Sequence, residues 1–134
     1  MRIQRAWKLL SRETGSASVE FVFVGVLLTF LTLGVLQLAL TLHVRNTVQD
    51  AASEGARWAS LADSSPEGGK VRTVELISTA IGSQFAQDIE VTQQQWLGAP
   101  ATVVTVRTAL PLIGLWGPSQ ILEVSGHAAN EVLR

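Results

Sequence analysis

From Phe21 to Leu42 the chain reads FVFVGVLLTFLTLGVLQLALTL, with no formal charge. A membrane-spanning helix needs about 20 predominantly apolar residues, and this run meets that length. A helix apolar on every side must otherwise be enclosed by protein. A chain of 134 residues has too little mass to surround it. The pattern predicts a single membrane span.

Beyond Leu42 the apolar positions change period. Val44, Val48, Ala51, Ala52, Gly55, Ala59 and Ala62 recur at three- and four-residue spacing, as on one face of a helix. Arg45, Asn46, Gln49, Asp50, Ser53, Glu54 and Arg57 occupy the other face. The prediction is one helix from Ser16 to Ala62, roughly 70 Å long at 1.5 Å per residue. Its seam of small residues is Ala51, Ala52, Gly55, Ala56 and Ala59. Glycine inside a helix costs about 1 kcal/mol relative to alanine. Close approach of another element along the seam would offset that. The element is either part of the same domain or a neighbouring subunit.

Asp63 to Gly69 is a loop by composition. Val71 to Gln87 then reads as a second helix with Val74, Ile77, Ile81 and Phe85 on one face. Ile89 to Trp96, Thr102 to Leu110 and Ile121 to Ala129 read as strands, with a turn at Leu97–Pro100. In the last strand Leu122, Val124, Gly126 and Ala128 alternate with Glu123, Ser125 and His127. The fold class is α+β: a long N-terminal helix, a second helix and a three-stranded antiparallel sheet. Trp58, Trp96 and Trp116 are expected to anchor its core. The apolar loop Pro111–Pro118 is either core or a contact patch.

Charge orients the span. Arg2, Arg5, Lys8 and Arg12 precede it, opposed only by Glu13. The positive-inside rule places residues 1–15 in the cytoplasm and the C-terminal domain outside. A removable signal peptide has an apolar region of only 7–15 residues, and no A-x-A site follows this run. Three parts result: a leader (1–15), a transmembrane and amphipathic helix (16–62) and a small extracytoplasmic domain (63–134).

Gly15-Ser16-Ala17-Ser18-Val19-Glu20 opens directly into the apolar run. A short basic leader ending in glycine, with a lone carboxylate five residues on, resembles the type IV prepilin processing site. The resemblance implies cleavage between Gly15 and Ser16 by a prepilin peptidase. Glu20 would become the fifth mature residue. A carboxylate at the edge of hydrocarbon is costly, and the positive end of the helix dipole favours it there. In pilins the equivalent glutamate pairs with a neighbouring subunit's amino terminus, so the resemblance makes Glu20 a subunit-assembly group.

Asn46 to Ala59, NTVQDAASEGARWA, adds a second resemblance. It looks like the segment after the membrane helix in TadE-like proteins, minor pilins or pseudopilins of the tight-adherence (Flp, type IVb-like) pilus system. The matching residues are Asn46, Ala51, Ala52, Gly55, Ala56 and Arg57, and the likeness covers roughly residues 10–62. It implies a pilus-assembly component of the inner membrane. The implied partners are the prepilin peptidase, the inner-membrane assembly platform, other pilin-like subunits and membrane lipid.

Other classes find little support. The net charge is -1, with 10 basic and 11 acidic residues, which leaves no surplus for nucleic acid. No cysteine is present, which removes disulfides, thiolate catalysis and Cys-ligated metal. His43 and His127 have no neighbour at metal-ligand spacing. Phosphate-loop, dinucleotide and nucleophile-elbow motifs are missing. The expectation is a non-enzyme with no cofactor. An uncleaved signal-anchored binding domain shares this topology and differs by keeping residues 1–15. A membrane-tethered enzyme would need polar residues gathered on the outer domain.

Overall fold

The computed structural model describes residues 2–61, 63–110 and 121–131, with side chains from residue 15 onward. In chain order the elements are helix α1 (Arg2–Ser60), helix α2 (Pro66–Ala80), a 3-10 turn (Ser83–Phe85) and strands β1 (Asp88–Trp96), β2 (Ala99–Ala109) and β3 (Ile121–Ala129). The sheet order is β1-β2-β3, antiparallel throughout. This is the α+β arrangement expected from the sequence.

Two compact units divide the chain, Met1–Leu38 and Ala39–Arg134. The described residues of the first are helix alone. α1 starts at Arg2 and not at Ser16, because nothing before Pro66 interrupts helical hydrogen bonding. It ends at Ser60, where the bend at Leu61 leads into the Ser64–Ser65 connection.

The second unit holds the core. Val44, Val48, Ala51, Ala52 and Ala56 from α1 meet Ile77 from α2 and Ile89, Val104, Val106 and Val124 from the sheet. By register Ile89 lies opposite Val106 and Val106 opposite Val124, with Val104 two residues along, so these positions share the one sheet face that the helices cover. α2 begins five residues earlier than its apolar pattern suggested and ends seven earlier, at Ala80. Its start is a cap: the Ser65 hydroxyl accepts the Gly68 N–H at 3.1 Å, and Pro66 occupies the first turn. Gly82, with φ of 112°, separates α2 from the 3-10 turn. Ile81 and Phe85 still pack on the core from beyond the helix end.

β1 and β2 form a two-residue hairpin, with Trp96 opposite Ala99. Leu97 and Gly98 both have positive φ, 51° and 81°, the backbone hand that matches the strand twist. β2 extends back to Ala99 and so includes Pro100. The proline is tolerated because it lies beyond the rung Ala101–Ala129, where only its carbonyl is used. That carbonyl accepts the Asn130 N–H at 3.0 Å.

The tryptophans differ from expectation. Trp58 and Trp96 are each 46% exposed and do not anchor the core. Trp58 lies under the Arg72 guanidinium, 6.0 Å from the ring centroid. Trp96 stacks on His127 at 5.3 Å and 24°. These residues come from the two edge strands, so the rings meet above central β2, on the face turned away from the helices. Ala101 and Val103 share that face by register and are buried to 1% and 3% exposure. Trp116 and the loop from Pro111 to Pro118 lie outside the described residues.

Candidate functional site: the membrane anchor and the helical segment after it

Every residue from Gly15 to Leu36 is exposed. Among them Phe21, Phe23, Leu27, Phe30 and Leu31 are large apolar side chains with no protein cover. Hiding one such side chain from water is worth about 1.5–3 kcal/mol, so the segment calls for a non-aqueous surrounding. It is long and apolar enough to cross a membrane. Its polar groups are handled locally. The Thr29 hydroxyl donates to the Gly25 carbonyl and the Thr32 hydroxyl to the Leu28 carbonyl, each at 2.8 Å. A hydroxyl satisfied within its own helix avoids the desolvation cost of an unpaired donor in hydrocarbon.

Gly15, Ser16 and Glu20 lie on this helix, all exposed. Ser16 and Glu20 are four residues apart and therefore neighbours on one face. No heavy atom lies within 4 Å of a Cβ built on Gly15. That glycine is not required by packing, which leaves its backbone freedom as its distinguishing property.

Further along α1, Asn46 and Arg57 are exposed, whereas Gly55 and Ala56 are buried. Ala51, Ala52 and Ala59 are buried too. The seam packs within its own unit. A Cβ on Gly55 would stand 2.9 Å from the Gly69 carbonyl oxygen and overlap the Thr73 hydroxyl. The Thr73 hydroxyl donates to the Gly69 carbonyl at 2.8 Å and is buried. On the sheet side, a Cβ on Gly126 would collide with the α1 backbone at Ala52–Ser53. Gln49 donates from Nε2 to the Ser125 carbonyl at 2.8 Å. Nothing in the sequence pattern marks Gly69, Thr73 and Gly126 as partners of the seam. Their signal, small residues inside predicted elements, becomes specific only once the elements are placed.

The outer face of the sheet carries one ion-pair cluster. Arg107 Nε donates to Glu123 at 2.8 Å, and Arg107 Nη1 lies 3.4 Å from Glu90 and 3.8 Å from Asp88. The Glu123 hydrogen bond and charge, then Glu90, raise the Arg107 pKa above its ordinary value. The guanidinium therefore stays charged across the physiological range. Any stability it confers is lost only as pH rises through that raised value. Among the described residues no group of His, Asp and Glu could hold a metal ion.

The family model for TadE-like proteins matches residues 15–57. No curated protein and no solved structure matches the chain. The matched span runs from the glycine before Ser16, through the exposed apolar helix, to the arginine that follows the Gly55–Ala56 seam. It lies within the segment whose residues carry the resemblance, and over residues 15–57 the chain is similar to TadE-like proteins.

Proposed function

We propose that this protein is a non-enzymatic, pilin-like assembly component of a tight-adherence pilus. In this reading a prepilin peptidase removes residues 1–15 at the Gly15–Ser16 bond. The mature helix stays in the inner membrane or is drawn from it into a fibre, with the C-terminal domain outside the cytoplasm. Glu20 pairs with the amino terminus of a neighbouring subunit. The remaining partners are the assembly platform and membrane lipid.

One observation carries the proposal: the TadE-like match coincides with an uncovered apolar helix that opens on Gly15, Ser16 and Glu20. The small C-terminal domain fits an accessory role, since the resemblance implies far shorter main fibre subunits. The seam residues bind the outer domain to the end of the helix. They leave Glu20 and the apolar run uncovered, where other subunits can meet them.

The test is surface piliation in cells that supply the whole pilus system. Deleting the chain should abolish or strongly reduce fibres, and Glu20→Ala should do the same while the protein is still made and membrane-bound. Normal piliation without the chain would overturn the reading.

A further inference from the structure

We propose that β1 is a self-association edge, through which two copies join their sheets in antiparallel fashion about Thr92. This association involves the C-terminal domain alone and stands whether or not the pilus reading does.

In an antiparallel sheet alternate residues turn both backbone groups to opposite edges. Pro100 uses its carbonyl toward Asn130, on the β3 side. The odd-numbered residues of β2 therefore serve β1, through Asp88, Glu90, Thr92, Gln94 and Trp96. The backbone N–H and C=O groups of Ile89, Val91, Gln93 and Gln95 face outward. Among the described residues no hydrogen bond reaches them.

The two edges of the sheet are treated differently. At β3, Gln49 occupies the outward Ser125 carbonyl, and α1 lies against Gly126. Among the described residues β1 carries little of the usual protection, its charges being Asp88 and Glu90 in its first half. It runs nine residues in unbroken register, without a bulge, a lysine or a proline. A long, regular, open edge is a template for another strand.

The charge pattern of β1 selects its own copy as that strand. Asp88 and Glu90 lie in its first half, and Gln93, Gln94, Gln95 and Trp96 fill the second. Parallel pairing in register would set acid against acid. Antiparallel pairing centred on Thr92 places Glu90 opposite Gln94 and Asp88 opposite Trp96. It pairs Ile89 with Gln95 and Val91 with Gln93, so every outward group is used. Centring on Glu90 would oppose two like charges, which destabilises a strand pair. Among registers, the Thr92-centred one alone engages the full strand.

The chain has no cysteine, so single-cysteine variants of the full-length protein in membranes are an unambiguous probe. In the proposed pair, the two Thr92 residues form a non-hydrogen-bonded rung with Cα atoms about 4.5 Å apart, within disulfide reach. The two Glu90 residues would lie roughly 14 Å apart along the strands, beyond it. Mild oxidation should convert Thr92→Cys to a covalent dimer and leave Glu90→Cys monomeric. Adding Gln93→Pro, which removes an outward N–H and no rung to β2, should abolish the Thr92→Cys dimer. The unfolding midpoint of that variant checks that it folds. If it does not, the Thr92→Cys and Glu90→Cys comparison still decides. Equal cross-linking at both positions, no Thr92→Cys dimer, or a dimer unaffected by Gln93→Pro in a folded protein would overturn the proposal.

Discussion

Gly55 of α1 and Gly69 of α2 meet backbone to backbone. A Cβ on Gly55 would stand 2.9 Å from the Gly69 oxygen, and a Cβ on Gly69 would stand 2.7 Å from the Gly55 oxygen. Each glycine thus makes room for the other's carbonyl, and the fold depends on neither side carrying a methyl group. Gly55→Ala gains about 1 kcal/mol of helix propensity. It must also displace the buried Thr73 hydroxyl and the Gly69 backbone. Overpacking of this kind costs typically 1–3 kcal/mol, and backbone cannot rotate away as a side chain can. The unfolding midpoint of detergent-solubilised Gly55→Ala should fall. Gly34→Ala is the control, since nothing lies within 4 Å of its Cβ, and its midpoint should not fall.

Gly126→Ala tests the opposite flank of the same helix. The added methyl group would strike the α1 backbone at Ala52 and Ser53, with no flexible side chain to yield. The expected loss is again about 1–3 kcal/mol. For a domain of 60–100 residues each kcal/mol corresponds to roughly 4–8 °C in Tm. A thermal melt unchanged from the parent would contradict the packing of β3 against α1.

Trp96 and His127 should be energetically coupled. Their rings stack above Ala101 and Val103 on the face away from the helices. A double-mutant cycle of Trp96→Ala and His127→Ala should return about 0.5–1.5 kcal/mol of interaction, the range for aromatic pairs. Strictly additive losses would show that the stack contributes no coupling.

Arg107 neutralises a concentration of like charge. Asp88, Glu90 and Glu123 all face it, so Arg107→Met leaves carboxylates repelling one another across the sheet. All these groups are exposed enough for salt to screen them. The destabilisation should be measurable at low ionic strength and should shrink as salt is added. A salt-independent loss would mean that the aliphatic stem of Arg107, and not its charge, is what matters.

Much of this architecture is legible in the sequence alone. The apolar run could be read because it lacks charge altogether, a signal that no tertiary contact can override. β3 was bounded correctly because Leu122, Val124, Gly126 and Ala128 alternate cleanly with polar residues. α2 was displaced because Pro66, Gly68 and Gly69 resemble a loop in composition. Here the proline is a first-turn residue behind a serine cap, and Gly69 is a packing contact. Size alone points Trp58 and Trp96 to the core. Both instead cover the surface with one face of the ring, Trp58 beneath Arg72 and Trp96 against His127. The Arg107 cluster could not be read from sequence, since its members span Asp88 to Glu123 and meet only through strand register.

The Gly15–Ser16 bond, on which the proposed function turns, lies inside α1. A peptidase that needs extended backbone must unwind the helix there, and glycine lowers the cost of doing so. The direct measurement is intact mass and N-terminal sequence of the membrane-fraction protein, produced with and without its prepilin peptidase. The account predicts a mature terminus at Ser16 only when the peptidase is present. A mature protein that keeps residues 1–15 in the presence of an active peptidase would contradict it and leave a simple anchored domain.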